Sequence, residues 1–98
     1  MKVYVKIHKA SNDILVAICD EDVLGKEFKE GKLRLFVNNS FYKGKLIDIE
    51  ELDAFFKAAS ILNIVGKASI EKAIECECID KENVMKIGET LHAQMVTV

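Results

Sequence analysis

The chain has no proline, no tryptophan and no long apolar run among its 98 residues. Without proline there is no stiff Pro-rich linker or tail to separate domains. No stretch approaches the roughly 18 apolar residues of a membrane-spanning helix, so no membrane partner is expected. The opening MKVYVKIHKA alternates polar and apolar residues rather than forming an apolar block, and no secretory signal is expected from it. Cysteine is scarce and odd in number: Cys19, Cys76 and Cys78. With no signal expected, an unpaired count points to reduced thiols and a cytoplasmic protein. Cys76-Glu77-Cys78 is not the C-x-x-C of a zinc knuckle, and no second pair completes four ligands, so neither a metal nor a cofactor is expected. Asp20, Glu21 and Asp22 suit capping or a solvated loop better than a magnesium site.

What is present describes one globular domain over residues 1–98. Half of the residues are hydrophobic and 31% are charged, which is neither disorder nor a fibrous composition. Net charge is −2, too little for a strongly basic nucleic-acid binder, but its distribution is uneven. Residues 1–45 hold nine Lys/Arg against six Asp/Glu, and residues 46–98 hold five against ten. A basic working face within the first half is one reading of that asymmetry; scatter in a small domain is the other.

The patterning predicts an α+β fold: a single two-layer domain, with a mostly antiparallel sheet and about two helices on one face. VYVKIHKA alternates as a strand with Val3, Val5 and Ile7 inward. ILVAIC is apolar on both faces and suits a central strand, joined to the first by the SND turn. DEDVLGKEFKEGK reads as a loop with one helical turn. KLRLFV alternates again, with Leu33, Leu35 and Val37 inward, and NNSFYKGKLI carries the turn signals of a short hairpin. Asp48 with Glu51 forms a capping box opening a helix. Ile49, Leu52, Phe56 and Ala59 continue that helix at helical spacing, to about Ile64, where Gly66 ends it. KASIEKAIECE predicts a second helix, and NVMKIG and LHAQMVTV predict closing strands.

IVGKAS, residues 64–69, resembles the end of a phosphate loop and fails its requirements. The first glycine of G-x-x-x-x-G-K-[ST] would be Ile61, and Ala68 stands where a hydroxyl should reach Mg²⁺. Four of the five glycines precede lysine, a pattern of turns beside solvated ammonium groups that could also meet nucleic-acid phosphates. Nucleophilic catalysis has no G-x-S-x-G elbow and no declared acid–base pair. The outward residues of the predicted strands form a more telling group: Lys2, Tyr4, Lys6 and His8, then Lys32, Arg34 and Phe36, then His92 and Gln94. On an open sheet face these would alternate charge with rings, as single-stranded RNA requires.

In order, CDEDVLGKEFKEGKLRL, FYKGKL, LNIVG and HAQM resemble the archaeal domain of unknown function 424 family over nearly the whole chain. The matching positions include Cys19, Asp20, Gly25, Lys26, Gly31, Phe41, Tyr42, Gly44, Asn63, Gly66, His92 and Gln94. The usual Val-Pro-type pair before the last strand is here Thr90-Leu91, and Cys76 and Cys78 lie outside the pattern. The resemblance implies a small intracellular α+β domain with an association with translation, and implies no activity.

Three functions therefore stand as expectations. The first is a non-enzymatic binding module for RNA or a ribonucleoprotein, contacted by Tyr4, Lys6, Lys26, Lys32, Arg34, Phe36, His92 and Gln94. The second is a small-molecule binder or small enzyme with a pocket of Asp20, Lys26, Asn63 and His92. The third is a homodimeric interaction domain built on the sheet.

Overall fold

A computed structural model describes residues 1–97. Its main sheet has six strands, β1 (Lys2–Ala10), β2 (Asp13–Asp20), β5 (Lys45–Asp48), β6 (Ile61–Val65), β7 (Met85–Ile87) and β8 (Thr90–Val96), in the order β5-β1-β2-β6-β8-β7. Neighbours are antiparallel except β2 and β6, which run parallel. A separate hairpin pairs β3 (Glu27–Glu30) with β4 (Leu33–Phe36). The helices are a single turn α1 (Asn39–Tyr42), α2 (Leu52–Ala58) and α3 (Lys67–Glu75). The α+β class and the largely antiparallel sheet agree with the sequence pattern. The predicted last strand is present as β8; its final predicted residue, Val98, lies outside the described residues.

The first hairpin follows from its residues. Ala10 pairs with Asp13 across a two-residue turn, with Ser11 at φ 52°. Alternate side chains of β2 then serve opposite faces. Val16 and Ile18 join Val3, Val5, Leu62, Ile64 and the helix residues Leu52, Phe56, Ile70 and Ala73 in the main core. Ala17 and Cys19 join a second cluster with Val23, Val37, Tyr42 and Val65.

The structure corrects the helix predicted to run from Asp48 to Ile64. The capping box is there, with Asp48 N–H donating to Glu51 Oε2 (3.0 Å) and Glu50 N–H donating to Asp48 Oδ1 (3.2 Å), but it opens a 3₁₀ turn at Ile49–Glu51 that passes into α2. Helix ends at Ala58, and Ile61–Val65 is a strand. Ser60 makes the change: its N–H donates to Ile14 O (2.9 Å), and its Oγ accepts from Ile14 N–H (2.8 Å). The following residues then lie between β2 and β8, both of whose edges need partners. Largely apolar, with Asn63 its one polar residue, and rich in β-branched residues, ILNIV satisfies that slot better than a further helical turn would. Gly66 is accordingly a strand-to-helix step, not a break between two helices. α3 also stops earlier than KASIEKAIECE suggests, at Glu75, with Glu77 at φ 61°.

Two further expectations change. The residues after Asn38 form α1, and β5 pairs with β1 rather than closing a local hairpin. Residues 33–36 do not join the main sheet, and Leu33, expected inward, is 46% exposed at the hairpin end. Instead α1 lies over β1 and β2 on the sheet face opposite α2 and α3, and the β3–β4 hairpin packs along β7. Leu24, Phe28, Leu35 and Phe41 pack against the second cluster.

Candidate functional site

The phosphate-loop resemblance has a structural answer. β2 ends in Asp20, beside the start of α3, and its carboxylate occupies the place an anion would take. Asp20 Oδ1 accepts from Ser69 N–H (2.9 Å) and Ser69 Oγ–H (2.6 Å), and Oδ2 accepts from Ala68 N–H (3.0 Å). Asp20 is 4% exposed. Gly66 is required there twice over: its φ is +117°, and a Cβ would collide with the Asp20 carboxylate. The helix N-terminus is filled by the chain's own side chain.

Around this cap lies a cavity of about 310 Å³ whose lining includes Asp20, Asp22, Lys26, Phe28, Lys67 and Thr90. Two members of the predicted pocket, Asp20 and Lys26, thus share one cavity. The other two, Asn63 and His92, do not line it. The four do not converge.

Asn63 and His92 meet elsewhere, on the second sheet face, through the pairing of β6 with β8. Tyr42 Oη–H donates to Asn63 Oδ1 at 2.6 Å, and His92 Nε2 lies 3.2 Å from the same oxygen. A carboxamide oxygen only accepts, so His92 Nε2 carries the proton and Nδ1 is left as an acceptor. Burial lowers the His92 pKa, which keeps the ring neutral. Tyr42 is 3% exposed, and burial, then the neighbouring Cys19, push its phenol well above the usual tyrosine value. Tyr42 entered the sequence reading only through the family resemblance; a tyrosine in a polar turn segment gave no periodic signal that its hydroxyl would reach a strand 21 residues away.

The thiols are poor nucleophiles. Cys19 is fully buried and its pKa is pushed up to about 12, by burial first and then by Asp20 and Asp22. Burial is also the main cause raising Cys76 and Cys78. Among the described residues no cluster of His, Cys, Asp or Glu could hold a metal ion, and no helix is long and apolar enough to cross a membrane.

The predicted aromatic and basic face is divided. Tyr4 packs against the second cluster, and Lys6 Nζ–H donates to Ser40 O at 2.7 Å. His8 stacks on Phe41, with ring centroids 4.8 Å apart, and its Nε2 lies 2.9 Å from Phe41 O. Lys6 and His8 thus hold α1 to β1. Lys26 lines the cavity, while Lys32, Arg34 and Phe36 belong to the hairpin. Phe28 and Leu35 face the protein, so alternation turns their neighbours Lys29, Arg34, Glu27 and Phe36 outward. Phe36 is 55% exposed. Lys26, Lys32 and Arg34 form no ion pair among the described residues. His92 and Gln94 lie on β8, His92 half-buried beside Asn63 and Gln94 exposed.

Residues 8–98 match the family model described as "Protein of unknown function (DUF424)". No curated protein matches the sequence. A solved structure described as an uncharacterized conserved protein from Methanopyrus kandleri is similar in fold, with a TM-score of 0.80. The match covers 97% of this chain and 90% of that one at 22% identity, a level that carries the fold alone.

Proposed function

The chain belongs to the DUF424 family, and from that premise we propose that it is a non-enzymatic cytoplasmic module that binds single-stranded RNA or a ribonucleoprotein through the β3–β4 hairpin. One observation carries the reading: Lys32 and Arg34, free of carboxylate partners among the described residues, stand with an exposed Phe36 on β4, on the outward side of the hairpin. Unpaired cations supply phosphate contacts, and an exposed ring supplies a stacking surface for a base. Lys26, at the hairpin's base, extends the positive charge. An association with the translation machinery would follow from such a ligand. Tyr4 and Lys6, engaged with the second cluster and Ser40, are not among the contacts.

Fluorescence anisotropy with labelled single-stranded oligoribonucleotides tests this directly. Affinity should fall linearly on a log–log plot against salt, and K32E or R34E should reduce that slope by about 1. F36A should weaken binding about tenfold, the value of one lost stacking contact. Affinity that is indifferent to salt and to all three substitutions would defeat the reading.

A second reading rests on the 310 Å³ cavity, where Asp20, Lys26 and Lys67 meet. It would hold a small molecule with both acidic and basic groups. Both Asp20 oxygens are already engaged by α3, which leaves Lys26 and Lys67 for its acidic group and Asp22 and Glu89 for its basic one.

A further inference from the structure

Beside β8 lies a hollow that the hairpin does not fill, about 320 Å³ in volume and lined by Asn83, Met85, His92, Ala93 and Gln94. With His92 neutral, none of these residues is charged. A phosphate or a metal ion therefore finds no opposite charge there. What the lining does offer is unspent. Met85 is 48% exposed. The carboxamides of Asn83 and Gln94 make no hydrogen bond among the described residues. Met85 lies opposite His92 in the β7–β8 ladder, so their side chains leave the same face side by side, and Gln94 follows on that face two residues along.

The histidine is held for presentation. Its Nε2–H is bound to Asn63 Oδ1, which is itself clamped by the buried Tyr42 hydroxyl. That chain fixes both the tautomer and the ring plane, and leaves Nδ1 as the acceptor. An uncharged lining of Met85 and His92 with two unengaged carboxamides beside it suits an uncharged planar ring with donors and acceptors on its rim. Carboxamides pair bidentately with the edges of bases, and unpaired bases stack on rings such as histidine's.

We propose that this hollow takes one unpaired nucleobase, lying on Met85 and His92 with its edge read by Asn83 and Gln94. The assignment rests on the RNA reading above and gives it a base-reading site. The two surfaces adjoin: β7 packs along β3 and β4, and Gly88 N–H at the end of β7 donates to Glu30 Oε1 at 2.9 Å. Phosphates held by the hairpin would deliver the neighbouring base to β8. The charge lies on one surface and the neutral recognition groups on the other, as a nucleotide's two chemistries require.

The experiment compares labelled oligoribonucleotides of A, C, G and U with an abasic oligomer of the same length, for the wild type, N83A and Q94A. Gln94 is exposed, so Q94A should leave the fold intact, which circular dichroism checks. The best homopolymer should bind about tenfold more tightly than the abasic chain. Both substitutions should shrink that ratio severalfold while abasic binding stays unchanged. A base-to-abasic ratio that neither substitution alters overturns the site and leaves hairpin binding standing. If no oligomer binds, the hairpin reading falls, and the four free nucleosides then decide the site alone. Perturbed His92 ring-proton resonances with any of them keep the site, and unperturbed resonances remove it.

Discussion

At the scale of single residues, Asp20 and Gly66 form one device. The carboxylate satisfies two N–H groups and a hydroxyl at the start of α3, and the missing Cβ makes room for it. D20A should cost about 2 kcal/mol of stability, the value of a helix cap combined with buried donors left unmet. G66A should cost about 1–3 kcal/mol through its positive φ alone, with the collision added. In a D20A background the collision is gone, so the two costs should not add. Urea denaturation of both single mutants and the double mutant checks this; strict additivity would show that Gly66 does not answer to Asp20. His92 carries a pH signature. Burial lowers its folded pKa below the ordinary 6.5, so the unfolded chain takes up the proton first. Stability should be complete above that pH and decline as the pH falls below it, and H92Q should decline less steeply. Identical pH profiles for wild type and H92Q would contradict the buried, neutral ring. Cys19, with its thiol held protonated to about pH 12, should react with a thiol reagent only as fast as the chain unfolds.

At the scale of elements, β6 matters most. It lies between β2 and β8 and places Leu62 and Ile64 in the main core, both fully buried. L62A and I64A should each cost about 2–5 kcal/mol. K57A, on the open side of α2 in a surface pair with Asp53 at 3.0 Å, should change stability by less than about 0.5 kcal/mol. Amide exchange offers an independent check, since a central strand at residues 61–65 should be among the slowest segments to exchange. The strand's character was present in the residues: ILNIV is as rich in β-branched residues as ILVAIC and apolar except at Asn63. Its neighbours hid it. The spacing of Leu52, Phe56 and Ala59 carries a helical period up to its edge, and a short apolar run after a helix looks like more helix. Only Ser60, bonded to Ile14 from the far hairpin, reveals the turn.

At the scale of the whole molecule, Lys26, Lys32 and Arg34 of the basic first half lie on one segment, which also carries Lys29 with Glu27 and Glu30. The acidic excess of the second half does not sit on α3, with two lysines against two glutamates, or on β7, whose one charge is Lys86. Glu30 on the hairpin faces Lys86 on β7 at 3.9 Å, a weak exposed pair that helps orient the two. Tagged protein recovered from native lysate should carry RNA that ribonuclease removes, and the K32E/R34E double mutant should recover far less. Recovery of equal RNA by the double mutant would place the contact elsewhere. The predicted RNA face failed as a single surface for a topological reason. Alternation correctly identifies which residues of a strand share a side, but it is silent on whether two strands share a sheet. β4 alternates as expected and pairs only with β3.

The amino-acid sequence by itself determined the class of fold, the first hairpin, the capping box at Asp48, the two apolar faces of β2 and the absence of any declared catalytic or metal-binding constellation among its motifs. These follow from local spacing and residue chemistry, which act over a few neighbours. Tertiary structure alone decided that Asp20 fills the anion position of α3, and that Tyr42, Asn63 and His92 form one hydrogen-bonded chain. Each of those joins residues from 21 to 49 positions apart. Such contacts depend on which strand lies beside which, and strand order is set by long-range pairing that no local pattern encodes.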